Sequence, residues 1–262
     1  MSTPIVSVRE LKVHFPIRSG IMGRVTDHVR AVDGVSFDLM PGRTVAIVGE
    51  SGSGKSTTGY AVMGMQEPTE GQILIDGRDR ARMSRSERMA TMRRLQIVFQ
   101  DPVSALNPRM SAADSIAEPL QIHGVGTARD RRIRVQKLLD LVGLPRSAGG
   151  KLPREFSGGQ KQRIVIARAL ALDPQAVICD EAVSALDVSI QSQILNLFLD
   201  LQSELGLAYI FISHDLSVVR HIADDILVMR AGKVVEQGPT DDIFSTARHE
   251  YTRQLLAAVP RL

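Results

Sequence analysis

The stretch GESGSGKST, Gly49-Glu50-Ser51-Gly52-Ser53-Gly54-Lys55-Ser56-Thr57, decides how this chain is read. It follows an apolar run, Val45-Ala46-Ile47-Val48, and opens a segment with helical spacing. The pattern G-x-x-x-x-G-K-[ST] needs Gly49, Gly52 and Gly54 so that the backbone can curl and turn successive N–H groups onto phosphate oxygens. Lys55 adds a point charge for the β- and γ-phosphates, and the Ser56 hydroxyl suits Mg²⁺. A helix starting near Lys55 contributes its dipole and its unpaired first-turn amides. A glycine loop between a strand and a helix therefore predicts a site for a nucleoside triphosphate and its Mg²⁺.

Bulk composition narrows the class. With 262 residues the chain can bury one large core, or a core plus an inserted subdomain. Its 44% hydrophobic and 23% charged residues are ordinary for a globular protein. No apolar stretch approaches the roughly 20 residues needed to cross a bilayer. The start, MSTPIVSVRE, lacks a charged segment followed by an apolar one, so no secretory signal is expected. A single cysteine, Cys179, rules out an internal disulfide and fits a reducing compartment. Net charge is only +3, and the arginine-rich runs 78–94 and 128–137 are interspersed with carboxylates. They read as solvated helix faces rather than a nucleic-acid surface, and 4% aromatics without Trp offer few stacking platforms.

Working outward, strands are predicted at 5–11, 31–39, 44–48, 72–76, 96–100, 176–180, 208–213, 225–229 and 233–238. Helical spacing follows Lys55 and recurs at 133–142, 158–172, 190–205 and 255–259. Near-continuous apolar strands such as AVICD and AYIFIS predict a parallel sheet covered on both faces, and the early alternating strands predict an antiparallel, more exposed one. Residues 16–30, with two glycines and scattered charge, read as a surface loop. The expected fold class is α/β: a P-loop core of mostly parallel sheet with helices on both faces, plus an N-terminal antiparallel β subdomain and an inserted α-helical subdomain. The expected organisation is a core over 1–100 and 156–245, a helical insert over 101–155 and a short tail over 246–262.

A P-loop alone leaves kinase, GTPase and ATPase open. AVICDE places Asp180 and Glu181 at the end of a buried strand, where a carboxylate can order Mg²⁺ and its neighbour can meet a water. FSGGQKQR, 156–163, puts Ser157, Gly158, Gly159 and Gln160 at the start of a helix. That is either a helix cap or a second phosphate-binding N-terminus.

Together these segments resemble the nucleotide-binding subunit of an ATP-binding-cassette (ABC) transporter, over nearly the whole chain. FSGGQ stands as the signature motif, Gln100 in IVFQDP as the Q-loop, SALD with Asp187 as the D-loop, and His214 in FISHD as the switch histidine. The resemblance implies that Glu181 is the catalytic base, with His214 and Lys55 acting beside it. It implies that Mg²⁺ is held by Ser56, by Gln100 and, through water, by Asp180. It implies too that Ser157, Gly158, Gly159, Gln160 and Asp187 reach a partner chain's nucleotide across a head-to-tail dimer. Phe15 stands where the family stacks an aromatic ring on adenine, though a core position fits it equally.

The segments QDPVSALNPRM, FSGGQKQR and DEAVSALDVS and the tail HEYTRQLLAAVP resemble the dipeptide/oligopeptide/nickel importer branch, and within it the long segment before AVDGVSF and the LNPR run resemble the second ATPase of a two-ATPase importer. Ala182 and Glu250 replace prolines usual in that pattern, and no cysteine cluster for an iron–sulfur centre follows the tail. The implied partners are a second, related ATPase, two membrane permeases and an extracytoplasmic binding protein, with the chain peripheral on the cytoplasmic face of the membrane. A transporter of another cargo and a soluble, non-transport ABC ATPase are the alternatives. Cys179 is expected in the core, and His14, His28, His123, His221 and His249 at the surface.

Overall fold

A computed structural model describes residues 3–19 and 24–258. In chain order the elements are β1 (Val6–Ser19), β2 (Arg24–Leu39), β3 (Thr44–Val48), α1 (Lys55–Met63), β4 (Glu70–Ile75), β5 (Arg78–Asp79), α2 (Arg85–Arg94) and β6 (Leu95–Val98). Then come α3 (Pro102–Ala105), α4 (Ala112–Ile122), α5 (Ala128–Leu141), α6 (Gly158–Ala169), β7 (Ala176–Asp180) and α7 (Val188–Leu205). The chain continues through β8 (Ala208–Ser213), α8 (Leu216–Ile222), β9 (Asp225–Arg230), β10 (Lys233–Pro239), α9 (Thr240–Thr246) and α10 (Glu250–Ala257). Two compact units divide them: Met1–Met92 with Ala208–Leu262, and Arg93–Leu207.

In the first unit, β1, β2, β4 and β5 form an antiparallel sheet in the order β2-β1-β4-β5. The expected loop at 16–30 is overturned there: Pro16–Ser19 continue β1 and Arg24–Arg30 belong to β2, joined by pairs such as Phe15 with Val29 and Ile17 with Asp27. Backbone pairing between two long strands outweighs the glycine and charge signals, because the charged side chains can stand on the solvent side of the ribbon. The expected loop residues 20–23 lie outside the described residues. Beside this sheet in sequence, β3 is parallel to both β8 and β9, and β10 closes antiparallel on β9. Every residue of β3 and β8 is buried, as strands covered on both faces require. Ala46, Val48, Leu216, Val219, Ile226, Val228, Ile243 and Tyr251 form one apolar cluster, which brings α8, α9 and α10 onto that sheet.

In the second unit β6 and β7 run parallel, with Val98 opposite Cys179. Helices fill the interval between them. Ser111 caps α4 by accepting the Asp114 amide, and a reciprocal Thr127–Asp130 box starts α5. α4 packs on α5 and α6, burying Ile116, Leu120, Leu138 and Leu139. Periodicity missed α4 because Pro119 interrupts its interior. It also passed over α2, whose ten residues include none that is buried and so carry no apolar stripe.

Candidate nucleotide-binding site

The register of the parallel strands builds the phosphate loop of the first unit. Val48 lies opposite Ser213 of β8 and Val228 of β9, so the glycine loop and His214 leave neighbouring strands at the same level. The loop then turns back on itself through a Ser53 amide to Glu50 carbonyl bond of 3.2 Å. Two glycines are obligatory for close approach. A Cβ at Gly49 would stand 2.2 Å from the Met229 carbonyl oxygen, and one at Gly54 would stand 2.1 Å from that of Ala31. Gly54, at φ 103°, is the N-cap of α1 and supplies no side chain to its first-turn amides. That leaves the helix terminus suited to an anion.

Lys55 is 5% exposed, and its Nζ donates to the carbonyl oxygens of Gly49 (2.9 Å) and Glu50 (2.8 Å). Its ammonium is thereby held inside the loop's curl, where a phosphate would compete with those two carbonyls. Ser53 Oγ is buried without a hydrogen-bond partner. Glu50, Ser51 and Gly52 are exposed on the rim, and Ser56 and Thr57 are half-buried on the first turn of α1. An orphaned hydroxyl, a lysine and uncapped amides around a cradle closed to a Cβ at Gly49 and Gly54 fit a polyphosphate. Phe15 is 40% exposed, which removes the core alternative for its ring. His214 is exposed just past the end of β8.

The second unit brings together what sequence had placed far apart. With Val98 opposite Cys179, Gln100 and Glu181 each stand two residues beyond the paired strand ends. The Gln100 Nε2 donates to Glu181 Oε2 at 3.0 Å and to Ser184 Oγ at 3.3 Å. Ser184 in turn donates to the Glu181 carbonyl at 3.0 Å. Glu181 is held in the left-handed region at φ 49°, an uncommon conformation for a non-glycine residue. Asp180 is buried at 5% exposure. Its neighbour Cys179 is fully buried in the core as expected, and burial, with Asp180 adding its charge, pushes the thiol far up. Beyond Gln100, the Val103 amide, assisted by Ser104, holds the Asp101 carboxyl below its usual range and fixes the start of α3.

The signature segment is a reciprocal cap in this chain. Ser157 Oγ accepts the Gln160 amide at 3.3 Å, and Gln160 Oε1 accepts the Ser157 amide at 3.1 Å. Ser157, Gly158 and Gln160 are nonetheless exposed, and Gly159 is buried so closely that a Cβ there would lie 2.6 Å from Ile190 Cγ2. Asp187 is the N-cap of α7, makes no side-chain capping bond, and is exposed beside Val188, which is 78% exposed. Sequence reasoning missed two participants. Ser184 carried no signal beyond its place in SALD, and Tyr251, whose hydroxyl accepts the Glu50 amide at 3.1 Å, lay hidden in the tail.

A glycine loop leaving a buried parallel strand, closed over a lysine and opening a helix, defines a P-loop nucleotide-binding protein. The family model described as ABC transporter matches residues 32–184, and one described as oligopeptide/dipeptide transporter, C-terminal region, matches 235–262. The glutathione import ATP-binding protein GsiA of Escherichia coli K12 is 52% identical over 257 residues, 98% of this chain and 41% of that protein. GsiA of Salmonella choleraesuis is 51% identical over the same length. The chain thus spans about two fifths of the length of these curated relatives. Among solved structures, cbiO1 from Clostridium perfringens, part of the transporter complex cbiONQ, has a TM-score of 0.81 at 30% identity, covering 99% of this chain and 97% of that one. The cassette MJ0796, dimeric and bound to ADP and Pi, gives 0.77 at 28% identity, covering 90% and 98%. The chain belongs to the ABC transporter family and has the fold of its ATP-binding cassettes.

Proposed function

We propose that this chain is the ATP-hydrolysing subunit of an ABC importer that takes up di- or oligopeptides or related small substrates through partner permeases. The observation that carries the reading is the paired set of strand ends. One set presents the P-loop and His214 at one level, and the other couples Gln100 directly to Glu181. GsiA is named for glutathione import, and the match of residues 235–262 to the peptide-transporter C-terminal region favours a peptide-like cargo.

In this reading Gly49 to Thr57 hold the β- and γ-phosphates, Phe15 stacks on adenine, and Ser56, Gln100 and, through water, Asp180 would hold Mg²⁺. The ion, when bound, neutralises phosphate charge. Glu181 accepts a proton from the attacking water, His214 donates to the γ-phosphate, and Lys55 leaves its two carbonyl partners for the phosphates. Gln100 can hold Glu181 through Nε2 while offering Oε1 to the ion, which couples the base to the filling of the site. Exposed Ser157, Gly158 and Gln160, with Gly159 behind them and Asp187 nearby, serve the nucleotide of a second ATPase subunit. Catalysis then requires dimer closure, and closure is the mechanical event delivered to the permeases. The helices of the insert, 101–155, carry their docking face. A cavity of about 380 Å³ there has Ala113, Ala117, Val135 and Leu139 for apolar contact and Arg131 and Arg132 for an acidic partner. No described helix is long and apolar enough to cross a membrane, which fits a peripheral subunit at the cytoplasmic face of such a complex, fed by a substrate-binding protein.

Glu181→Gln tests the assignment. Gln keeps the shape but is a far poorer proton acceptor, so Mg²⁺-dependent turnover should fall by about 10²–10⁴-fold while an ATP-bound dimer accumulates on size-exclusion chromatography. Turnover at the parental rate would remove Glu181 from the role of base.

A further inference from the structure

We propose that Tyr251, on the C-terminal helix α10, is a positioning residue of the ATP site that sets the P-loop from behind. This rests on the reading of 49–57 as the triphosphate cradle. Residues 201 positions apart meet here: the phenol oxygen accepts the backbone N–H of Glu50 at 3.1 Å. The carbonyl of the same residue accepts Lys55 Nζ at 2.8 Å. Glu50 is therefore gripped on one side by the tail and on the other by the phosphate-binding lysine. Its own side chain is exposed and anchors nothing deep.

Tyr251 is itself rigidly placed. It is 2% exposed and shares the apolar cluster with Val48, the residue that leads into the loop, and with Val228. The Arg230 guanidinium lies over its ring at 4.8 Å from the centroid. His249 caps α10 by accepting the Tyr251 amide on Nδ1 at 3.2 Å. The carboxylate of Glu236 on β10 accepts the amides of Arg248 (2.7 Å) and His249 (3.1 Å), fixing the turn that starts the helix. A continuous line of bonds thus runs from β10 through the helix cap to the tyrosine and into the loop.

The consequence is preorganisation. The first turn of the loop, from Gly49 to Gly52, contains two glycines and is tied by the Ser53 amide and by Lys55. Lys55 must let go when phosphate arrives, and at that moment the Tyr251 bond keeps the Glu50 peptide in place. An unanchored loop would be ordered at the expense of binding energy. The C-terminal segment is on this account a working part of nucleotide affinity, not only a covering for the sheet.

Tyr251→Phe in the full chain is the test, because it removes one oxygen and keeps the ring in its cluster. The expected result is a weakening of Mg-ATP binding by about two- to tenfold, the range of one neutral hydrogen bond. KM for ATP should rise by a similar factor with kcat changed less than about twofold, since no group touching the reacting atoms is altered. Amide exchange at Glu50 should accelerate in the nucleotide-free variant while exchange in α5 and α7 stays parental. A purely structural tyrosine would instead lower the melting temperature and leave the affinity of the folded fraction unchanged. Unchanged affinity, or unchanged exchange at Glu50, overturns the proposal. If the parental chain binds no Mg-ATP, the nucleotide reading fails first and this proposal with it.

Discussion

Replacing Gly54 by alanine perturbs one atom at the point where the loop becomes a helix. Gly54 holds φ 103°, and its added Cβ would meet the Ala31 carbonyl oxygen at 2.1 Å. Backbone opposes backbone, so no side-chain rotation relieves the overlap, and α1 and β2 must part by about 1 Å to reach contact distance. The left-handed conformation costs an L-residue about 1–2 kcal/mol, and overpacking adds about 1–3 kcal/mol. A total of about 2–5 kcal/mol lowers the melting temperature by about 5–15 °C for a chain of this size. Gly52→Ala is the internal control: at φ 77° it bears the conformational cost, but nothing lies within 4 Å of its Cβ. The two variants should therefore differ most in nucleotide binding. A shift of about 1 Å in the Lys55 and Ser56 amides is of the size that weakens a positioned site by about 100-fold. Fluorescent ATP-analogue titration, beside thermal unfolding of each variant, reads both effects. If Gly54→Ala melted with Gly52→Ala and bound the analogue at parental affinity, the loop would not depend on this close approach, and the cradle reading of 49–57 would be refuted.

Mixing Lys55→Ala chains with Ser157→Arg chains tests whether sites are shared: a mixed homodimer keeps one intact composite site and should recover part of the activity lost by each variant alone, and no recovery in a complex shown to contain both would count against shared, independently firing sites. A pH effect is expected from His123, whose desolvation, reinforced by the neighbouring Arg93 charge, lowers its pKa below the ordinary histidine value. Its neutral ring accepts Arg93 Nε on Nδ1 at 3.2 Å, so its contribution is complete above the unfolded pKa of about 6.5 and is lost as pH falls through the lower folded value. Urea unfolding at pH 7.5 and pH 5 should show a smaller loss of stability in His123→Asn than in the parent; equal losses would remove His123 from that window.

Where side chains meet neighbours close in sequence, the chain was legible from residues alone. The P-loop is nine consecutive residues whose glycines, lysine and serine carry their own geometry, and the buried strands 44–48, 176–180 and 208–213 have the bounds that their unbroken apolar runs predicted. The start of α6 was legible for the same reason, since Ser157 and Gln160 cap each other across three positions. The β1–β2 ribbon was not, because a strand over residues 16–30 is stabilised by its partner rather than by its own glycine-containing, charged sequence. Phe15 could be told from a core residue only once its exposure was known.

The sequence by itself determined that a phosphate-binding loop, an acidic strand end and a glycine-rich helix start occur in one α/β chain, because each is a local pattern with a local physical cause. Tertiary structure alone decided which of them touch. Gln100 reaches Glu181 across 81 positions because β6 and β7 pair in a register set by their buried faces. Tyr251 reaches Glu50 across 201 positions because the apolar side of α10 packs into the cluster under β3. Neither partner carries a local sign of the other: hydrophobic burial fixes the register, and the hydrogen bonds follow from it.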